Sequence, residues 1–128
     1  ENMTKKIIFM GNKSNFFSGI TEILILAILN GSDSYAYEIV KYIKEYSDGC
    51  LAISQNTIYA VTYKLENEGK ISQYSKLVGK RRTRVYYHLE PEGKEYYTQL
   101  LNNFRDAYTG VEKILSSLNE NMEDKENE

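Results

Sequence analysis

The chain contains no tryptophan and only one cysteine, one proline and one histidine among its 128 residues. Because one thiol cannot close an internal disulfide, Cys50 indicates a reducing compartment, and we expect a cytoplasmic protein. His88 has no sulfur ligand near it in the sequence, which excludes a cysteine/histidine zinc site. We therefore expect neither a metal nor a cofactor.

Long hydrophobic runs and catalytic motifs are also missing. The longest apolar run, Ile20 to Leu29, is interrupted by Thr21 and Glu22 and is too short to cross a bilayer, so no membrane association is expected. The sequence shows no nucleophile elbow, no phosphate-binding glycine loop and no metal-ligand spacing. We expect no catalytic residues, and hence not an enzyme.

What is present is enough apolar material for one domain and an uneven distribution of charge. Hydrophobic residues make up 41% of the chain and aromatic residues 12%, which is sufficient for a packed core. The formal net charge is -2, but residues 119–128 contain five acidic residues and one lysine. The rest of the chain is therefore slightly basic, and the overall charge does not argue against a nucleic-acid partner.

Three helices are predicted in the first half of the chain, after an N-terminal arm over residues 1–18 that could equally be a frayed terminus. The first helix covers Ile20 to Leu29, and the second covers about Tyr35 to Tyr46, with Ser34 as its cap. The third begins after the cap residue Ser54 and ends at Glu68. Helical spacing places one apolar set of this third helix in the core and a polar set on the opposite side. The core set is Ile58, Val61, Thr62 and Leu65, and the outer set is Gln55, Asn56, Tyr59 and Tyr63.

Residues 71–89 change from a helical to an alternating pattern. Val85, Tyr87 and Leu89 alternate with polar residues, which predicts a strand, and Ile71 to Val78 is expected to pair with it. The connection from Gly79 to Arg82 is then a hairpin tip. Three helices followed by a β-hairpin predict a mainly α fold of the winged helix-turn-helix class over residues 19–90.

The C-terminal part predicts a long dimerisation helix over residues 91–118, followed by a disordered acidic tail over residues 119–128. Its apolar residues recur in alternating steps of four and three, which is the heptad spacing of a coiled-coil seam. A core of this size cannot cover such a seam, so we expect a second copy of the chain to do so. The expected dimer interface consists of Ile20, Leu24, Tyr97, Leu101, Phe104, Tyr108, Val111, Leu115 and Leu118.

The hairpin carries the clearest local charge. Six basic residues and no acidic residue lie between Gly69 and Leu89, and such a patch attracts duplex DNA by releasing counterions. An isolated basic turn is usually only solvated, but here it follows a helix whose first turn exposes polar groups. Gln55, Asn56 and Thr57 can reach base edges and Tyr59 can reach a phosphate, although capping also accounts for Thr57.

Several motifs together resemble the PadR-like transcriptional regulators over roughly Ile20 to Leu118. Tyr35-Ala36-Tyr37-Glu38-Ile39 is similar to the start of that family's second helix, with Ala36 in place of the usual glycine. Residues 57–71 resemble its recognition helix and turn, with Ala60 in place of the usual proline. Residues 79–89 resemble its wing, and Glu92-Gly93-Lys94 resembles the start of its last helix.

The resemblance implies a dimeric repressor that binds a palindromic operator on double-stranded DNA, with half-sites about one helical turn apart. It implies helix contacts to DNA from Tyr37, Gln55, Asn56, Thr57, Tyr59 and Lys64, and wing contacts from Lys80, Arg81, Arg82 and Arg84.

Two alternatives remain open from the sequence. The first is a winged-helix module that binds other proteins and not DNA. The second is a small-molecule effector at the dimer interface, where some relatives use paired tryptophans that this chain lacks. Tyr97, Phe104 and Tyr108 are the candidate cavity residues, although an aromatic stripe at heptad spacing is more often plain interface.

Overall fold

The structure is a computed structural model that describes residues 15–126, with side chains from residue 19. Most of the predicted N-terminal arm therefore lies outside the described residues. Within these described residues, seven elements follow one another: α1 (Asn15–Gly31), β1 (Ser34–Tyr35), α2 (Ala36–Tyr46), α3 (Gln55–Asn67), β2 (Ile71–Val78), β3 (Arg82–Leu89) and α4 (Pro91–Glu126).

The core lies where α1, α2 and α3 meet one face of a small sheet. The middle of α1 is almost entirely apolar, so it can be covered on several sides at once. The outward set predicted for α3 is exposed and its inward set is buried, as the three- and four-residue spacing requires. The side chains that are fully excluded from solvent include Ile25, Leu26, Ile39, Ile58 and Leu65.

The sheet has three antiparallel strands in the order β1-β3-β2. The predicted hairpin is present, with Ile71 opposite Leu89 and Val78 opposite Arg82. Gly79 closes the connection with a φ of 75°, a left-handed conformation that glycine adopts without steric cost. The mainly helical fold class with a β-hairpin is therefore confirmed.

The start of α2 differs from the prediction. Ser34 is not its cap but lies in β1, opposite Tyr87 of β3, and its hydroxyl donates to Glu38 Oε1 at 2.5 Å. The N-cap is Tyr35, whose backbone is extended. A strand of two residues has no periodicity for sequence reasoning to detect, because its partner is supplied by the tertiary fold.

The ends of α3 follow the sequence prediction closely. Ser54 Oγ accepts a hydrogen bond from the Thr57 backbone N–H at 3.1 Å, which satisfies one of the free donors of the first turn. At the other end Gly69 has a φ of 73°. The N–H groups of Gly69 and Lys70 bond to the carbonyls of Glu66 and Leu65, which is the Schellman pattern.

The last helix is longer than predicted. It runs for 36 residues to Glu126, so residues 119–126 are helical where the sequence predicted a disordered tail. Glutamate, methionine and lysine favour helices, and this segment holds no glycine or proline to stop one. The first of two compact units ends at Tyr97 and the second begins at Thr98. None of the helices between residues 15 and 126 combines the length and apolar character that crossing a bilayer needs.

Candidate nucleic-acid interface

The first turns of α3 present a small polar surface. Gln55 Nε2 donates to the Tyr59 hydroxyl at 2.9 Å, because residues four apart lie on one side of a helix. Asn56 is exposed beside them, and Tyr59 is 48% exposed. Amide and phenol groups held in this way can donate to and accept from base edges and phosphates.

Thr57 is placed differently from its neighbours. Its backbone N–H bonds to Ser54 Oγ, and its own hydroxyl lies 2.9 Å from the same oxygen. The side chain is half-buried. Thr57 therefore contributes to the helix cap, and its hydroxyl already has a hydrogen-bond partner in Ser54.

Lys64 is not grouped with the polar residues at the start of α3. It follows Gln55 by nine positions, and at about 100° per residue this places it on the opposite side of the helix. Its Nζ donates to Glu22 Oε2 of α1 at 3.0 Å. The hydrogen bond with Glu22 raises the pKa of Lys64 above its ordinary value, against a smaller opposing effect of burial.

Tyr37 lies in the first turn of α2 and is 59% exposed. It shares its face of the helix with Lys41 and Lys44, which are also exposed, because steps of four and three keep one side. A tyrosine hydroxyl and two ammonium groups along one helix face can bind a phosphate backbone.

The hairpin tip carries Lys80, Arg81 and Arg82, all exposed. Three adjacent cations on a narrow turn suit the narrow, electronegative minor groove of DNA. Arg84 lies further back on β3, with its guanidinium carbon 4.0 Å from the centre of the Tyr35 ring. This cation–π contact gives Arg84 a role inside the protein as well.

A row of three tyrosines crosses the outer face of the sheet. Tyr35, Tyr86 and Tyr74 are register partners on the three strands. The centres of the Tyr35 and Tyr86 rings are 5.4 Å apart, and those of Tyr86 and Tyr74 are 5.7 Å apart. Lys76 Nζ lies 5.4 Å from the Tyr86 ring centre. These contacts stiffen the wing, because cross-strand aromatic pairs are the stabilising unit of a sheet.

Asp33, just before β1, joins the outer face of the sheet through two bonds. It accepts from the Tyr74 hydroxyl at 2.7 Å, and His88 Nδ1 lies 2.8 Å from its other oxygen. The hydrogen bond to Asp33 raises the pKa of His88. Desolvation acts to raise the pKa of Asp33, but its bonds with His88 and Tyr74 outweigh this and lower it. The loop before β1 is thus fastened to both wing strands.

Most of the predicted dimer seam is exposed within one protomer. Phe104, Tyr108, Val111, Leu115 and Leu118 are all exposed, and Ile114 and Met122 extend the same apolar row. The ring centres of Phe104 and Tyr108 are 6.3 Å apart. Leu101 is half-buried in the same compact unit.

The other predicted interface residues belong to the first compact unit. Ile20, Leu24 and Tyr97 are half-buried. Leu24 also lines a groove of about 210 Å³ between α1 and α2, together with Ala27, Ile28, Tyr42, Ile43, Tyr46, Ser47 and Leu51. The candidate cavity residues are therefore divided between the units, with Tyr97 in the first and Phe104 and Tyr108 in the second.

Sequence reasoning missed two groups of residues near this surface. Lys76 was counted in the basic patch, but its contact with Tyr86 and the tyrosine row itself were not predicted, because cross-strand partners depend on the register. Glu22 was also missed, although it gave a signal: an acidic side chain inside an apolar helix needs a partner. Glu22 is buried and bonds to both Lys64 and Tyr96.

Comparison with known proteins gives consistent results. A family model described as "Transcriptional regulator PadR-like family" matches residues 25–99. A transcriptional regulator from Clostridium thermocellum is 33% identical, with a TM-score of 0.71, over 79% of this chain and 95% of that chain. A PadR family transcription regulator from hypervirulent Clostridium difficile is 27% identical, with a TM-score of 0.65, over 74% of this chain and 97% of that chain. Bacillus subtilis PadR in complex with operator DNA is 26% identical, with a TM-score of 0.60, over 64% of this chain and 46% of that chain.

Proposed function

Since the chain belongs to the PadR-like family of transcriptional regulators, we propose that it is a homodimeric repressor of its own or neighbouring genes. The observation that carries this proposal is the exposure of two groups of DNA-compatible side chains within the first compact unit. The polar start of α3, with Gln55, Asn56 and Tyr59, is exposed, and so is the basic tip of the hairpin. A helix of this kind reads the major groove, and the basic tip fits the adjacent minor groove.

The proposed DNA contacts are of two kinds, contacts to base edges and contacts to the phosphate backbone or groove. Gln55 and Asn56 carry amides that can pair with base edges, so they are the candidate specificity residues. Tyr37, Tyr59, Lys80, Arg81 and Arg82 are candidate phosphate or groove contacts, which add affinity without reading sequence. Thr57, Lys64 and Arg84 each have a partner within the protein and contribute less directly.

The second part of the proposal is a two-fold dimer. The exposed apolar row of α4 is a large hydrophobic surface of the kind that marks a protein interface. A palindromic operator is then bound by two α3 helices, one in each half-site.

An effector at the dimer interface is the third part of the proposal. Phe104 and Tyr108 offer neighbouring rings on exposed positions of α4, which suit a flat aromatic or cationic molecule. Thermal unfolding in the presence of a panel of phenols and aromatic cations tests this part. A shift in melting temperature that disappears in F104A supports it, and no shift with any compound of the panel contradicts it.

The DNA-binding proposal is tested with a gel-shift titration on the promoter of the protein's own gene. We expect sequence-specific retardation at low salt. In the dimer, R81A/R82A removes two arginines from each of two protomers. The slope of log affinity against log salt concentration should therefore decrease in magnitude by about four, because each phosphate contact releases about one counterion. The matched control is K113A, which removes a cation from an exposed position of α4.

The same variants separate repression from the alternative of a protein-binding module. If the protein acts only by binding other proteins, the R81A/R82A variant should regulate its target genes as the wild type does. Failure to shift its own promoter and those of the adjacent genes, at low salt and without ligand, would contradict the repressor proposal.

A further inference from the structure

Glu22 is an acidic residue placed among apolar ones in the middle of α1. Its side chain is only 9% exposed, and a buried carboxylate is unfavourable unless it is hydrogen-bonded or paired. Both of its oxygens have a partner. Oε2 accepts from Lys64 Nζ at 3.0 Å, and Oε1 accepts from the Tyr96 hydroxyl at 2.9 Å.

These two bonds join three elements of the first compact unit. Glu22 belongs to α1, Lys64 to the recognition helix α3, and Tyr96 to the first turns of α4. Lys70, three residues beyond the end of α3, has its Nζ 5.0 Å from the centre of the Tyr96 ring. The carboxylate is therefore the centre of a small polar network in an otherwise apolar layer.

The network is attached to α3 on the side opposite Gln55, which bears on the orientation of that helix. Lys64 and Gln55 lie on opposite sides of the helix, so a bond that holds Lys64 on α1 adds a restraint on the rotation of α3 about its own axis, beside the packing of its buried face. A rotation of a few degrees moves the Gln55 and Asn56 side chains relative to base edges. Hydrogen bonds to bases depend steeply on such displacements.

We propose that Glu22 is a positioning residue for operator recognition, which sets α3 through Lys64 and the start of α4 through Tyr96. The inference rests on the proposed function, because it concerns how the same surface is held. It also assigns Lys64 a role inside the protein instead of the phosphate contact that the family resemblance implied. The competing role for Lys64 predicts a different dependence on salt, which makes the two separable.

The experiment compares E22Q, K64M and the double variant E22Q/K64M by fluorescence anisotropy. The probes are a duplex from the promoter of the protein's own gene and a shuffled duplex of the same composition. Affinities are measured from about 50 to about 300 mM salt, so that the salt slope gives the number of phosphate contacts. K80M is the positive control for a phosphate contact, and circular dichroism reports whether each variant is folded.

We expect E22Q and K64M each to weaken promoter binding about ten-fold, the scale of losing one charged hydrogen bond. Binding to the shuffled duplex and the salt slope should stay at wild-type values, whereas K80M, which removes one lysine from each protomer, should lower the slope by about two. The double variant should be no weaker than either single variant, because both remove one interaction. K64R, which keeps a cationic donor, should retain most of the affinity.

Three results would overturn the inference. A lower salt slope in K64M would make Lys64 a phosphate contact, and additive losses in the double variant would separate Glu22 from Lys64. If E22Q is folded and binds the promoter with wild-type affinity, the network contributes to stability and not to operator recognition.

If E22Q does not fold, Y96F replaces it, since it deletes only one hydroxyl group. We expect Y96F to lower promoter affinity about three-fold and to leave binding to the shuffled duplex unchanged. Unchanged promoter affinity in Y96F would contradict the inference. Failure of the proposed function itself is distinct, because the wild type would then not distinguish promoter from shuffled duplex.

Discussion

At the level of single residues, Asp33 and His88 form a pH-sensitive contact at the wing. The hydrogen bond with Asp33 raises the pKa of His88 above its ordinary value of 6.5. Because the folded state holds the proton more tightly, the stabilisation is complete below about pH 6.5 and is lost as the pH rises through the raised pKa. At acidic pH the limit is the lowered pKa of Asp33. The stabilisation from the Asp33 carboxylate is lost as the pH falls through that pKa.

We predict that D33N weakens this pH dependence. His88 is the sole histidine of the chain, so its ring protons give one NMR titration that needs no assignment. Its pKa should fall toward 6.5 in D33N, and the decrease in unfolding free energy from about pH 6 to about pH 8 should become smaller. Y74F is the control, because it removes a neighbour of Asp33 and keeps the pair. An unchanged His88 titration in D33N would contradict the assignment.

At the level of secondary-structure elements, Gly93 and Gly110 of α4 differ in how closely other atoms surround them. An added Cβ on Gly93 would lie 1.9 Å from the Lys70 carbonyl oxygen, whereas one on Gly110 would have no atom within 4 Å in the described protomer. The first turn of α4 therefore packs directly on the backbone that follows α3. The Lys70 carbonyl also accepts from the Glu90 N–H at 3.0 Å, which fixes the junction.

We predict opposite effects of the same substitution at these two glycines. G93A should destabilise the protein by about 2 kcal/mol or more, because backbone must move to admit the methyl group. G110A should stabilise the helix by about 0.5–1 kcal/mol, as alanine loses less backbone entropy. Urea unfolding followed by circular dichroism measures both. A G93A variant as stable as the wild type would show that this junction can shift freely.

The elements predicted from the sequence are those determined by local interactions. The Ser54 cap, the left-handed Gly69 and the two faces of α3 depend on residues within four positions of one another, so they could be predicted. The strand β1 and the Lys64–Glu22 pair depend on partners far along the chain, so they could not. The helical segment up to Glu126 was missed because its acidic charge was given more weight than its helix propensity.

For the whole molecule, the exposed apolar row of α4 determines the proposed assembly. Phe104 and Leu115 both belong to this row, and a charge at either position would have to be buried unpaired in a dimer. We predict that F104E/L115E is monomeric by light scattering and binds operator weakly, because two half-sites are no longer bound together.

The control for this prediction is N103E/S117E, which adds the same two charges to exposed positions of α4 outside the heptad seam. It should remain dimeric and bind normally. A dimer in F104E/L115E would contradict the seam as the interface, and a monomeric control would show that added charge alone dissociates the protein.

The two faces of α3 also have a consequence for how such a regulator can evolve. Its inner face, with Ile58 and Leu65, is fully buried, whereas Gln55 and Asn56 lie on the exposed side. Substitutions at the exposed positions can change which operator is preferred while leaving the core intact. Gene duplication followed by drift at these few codons could therefore yield a paralogue with a new set of target genes, and a laboratory library confined to them could follow the same route.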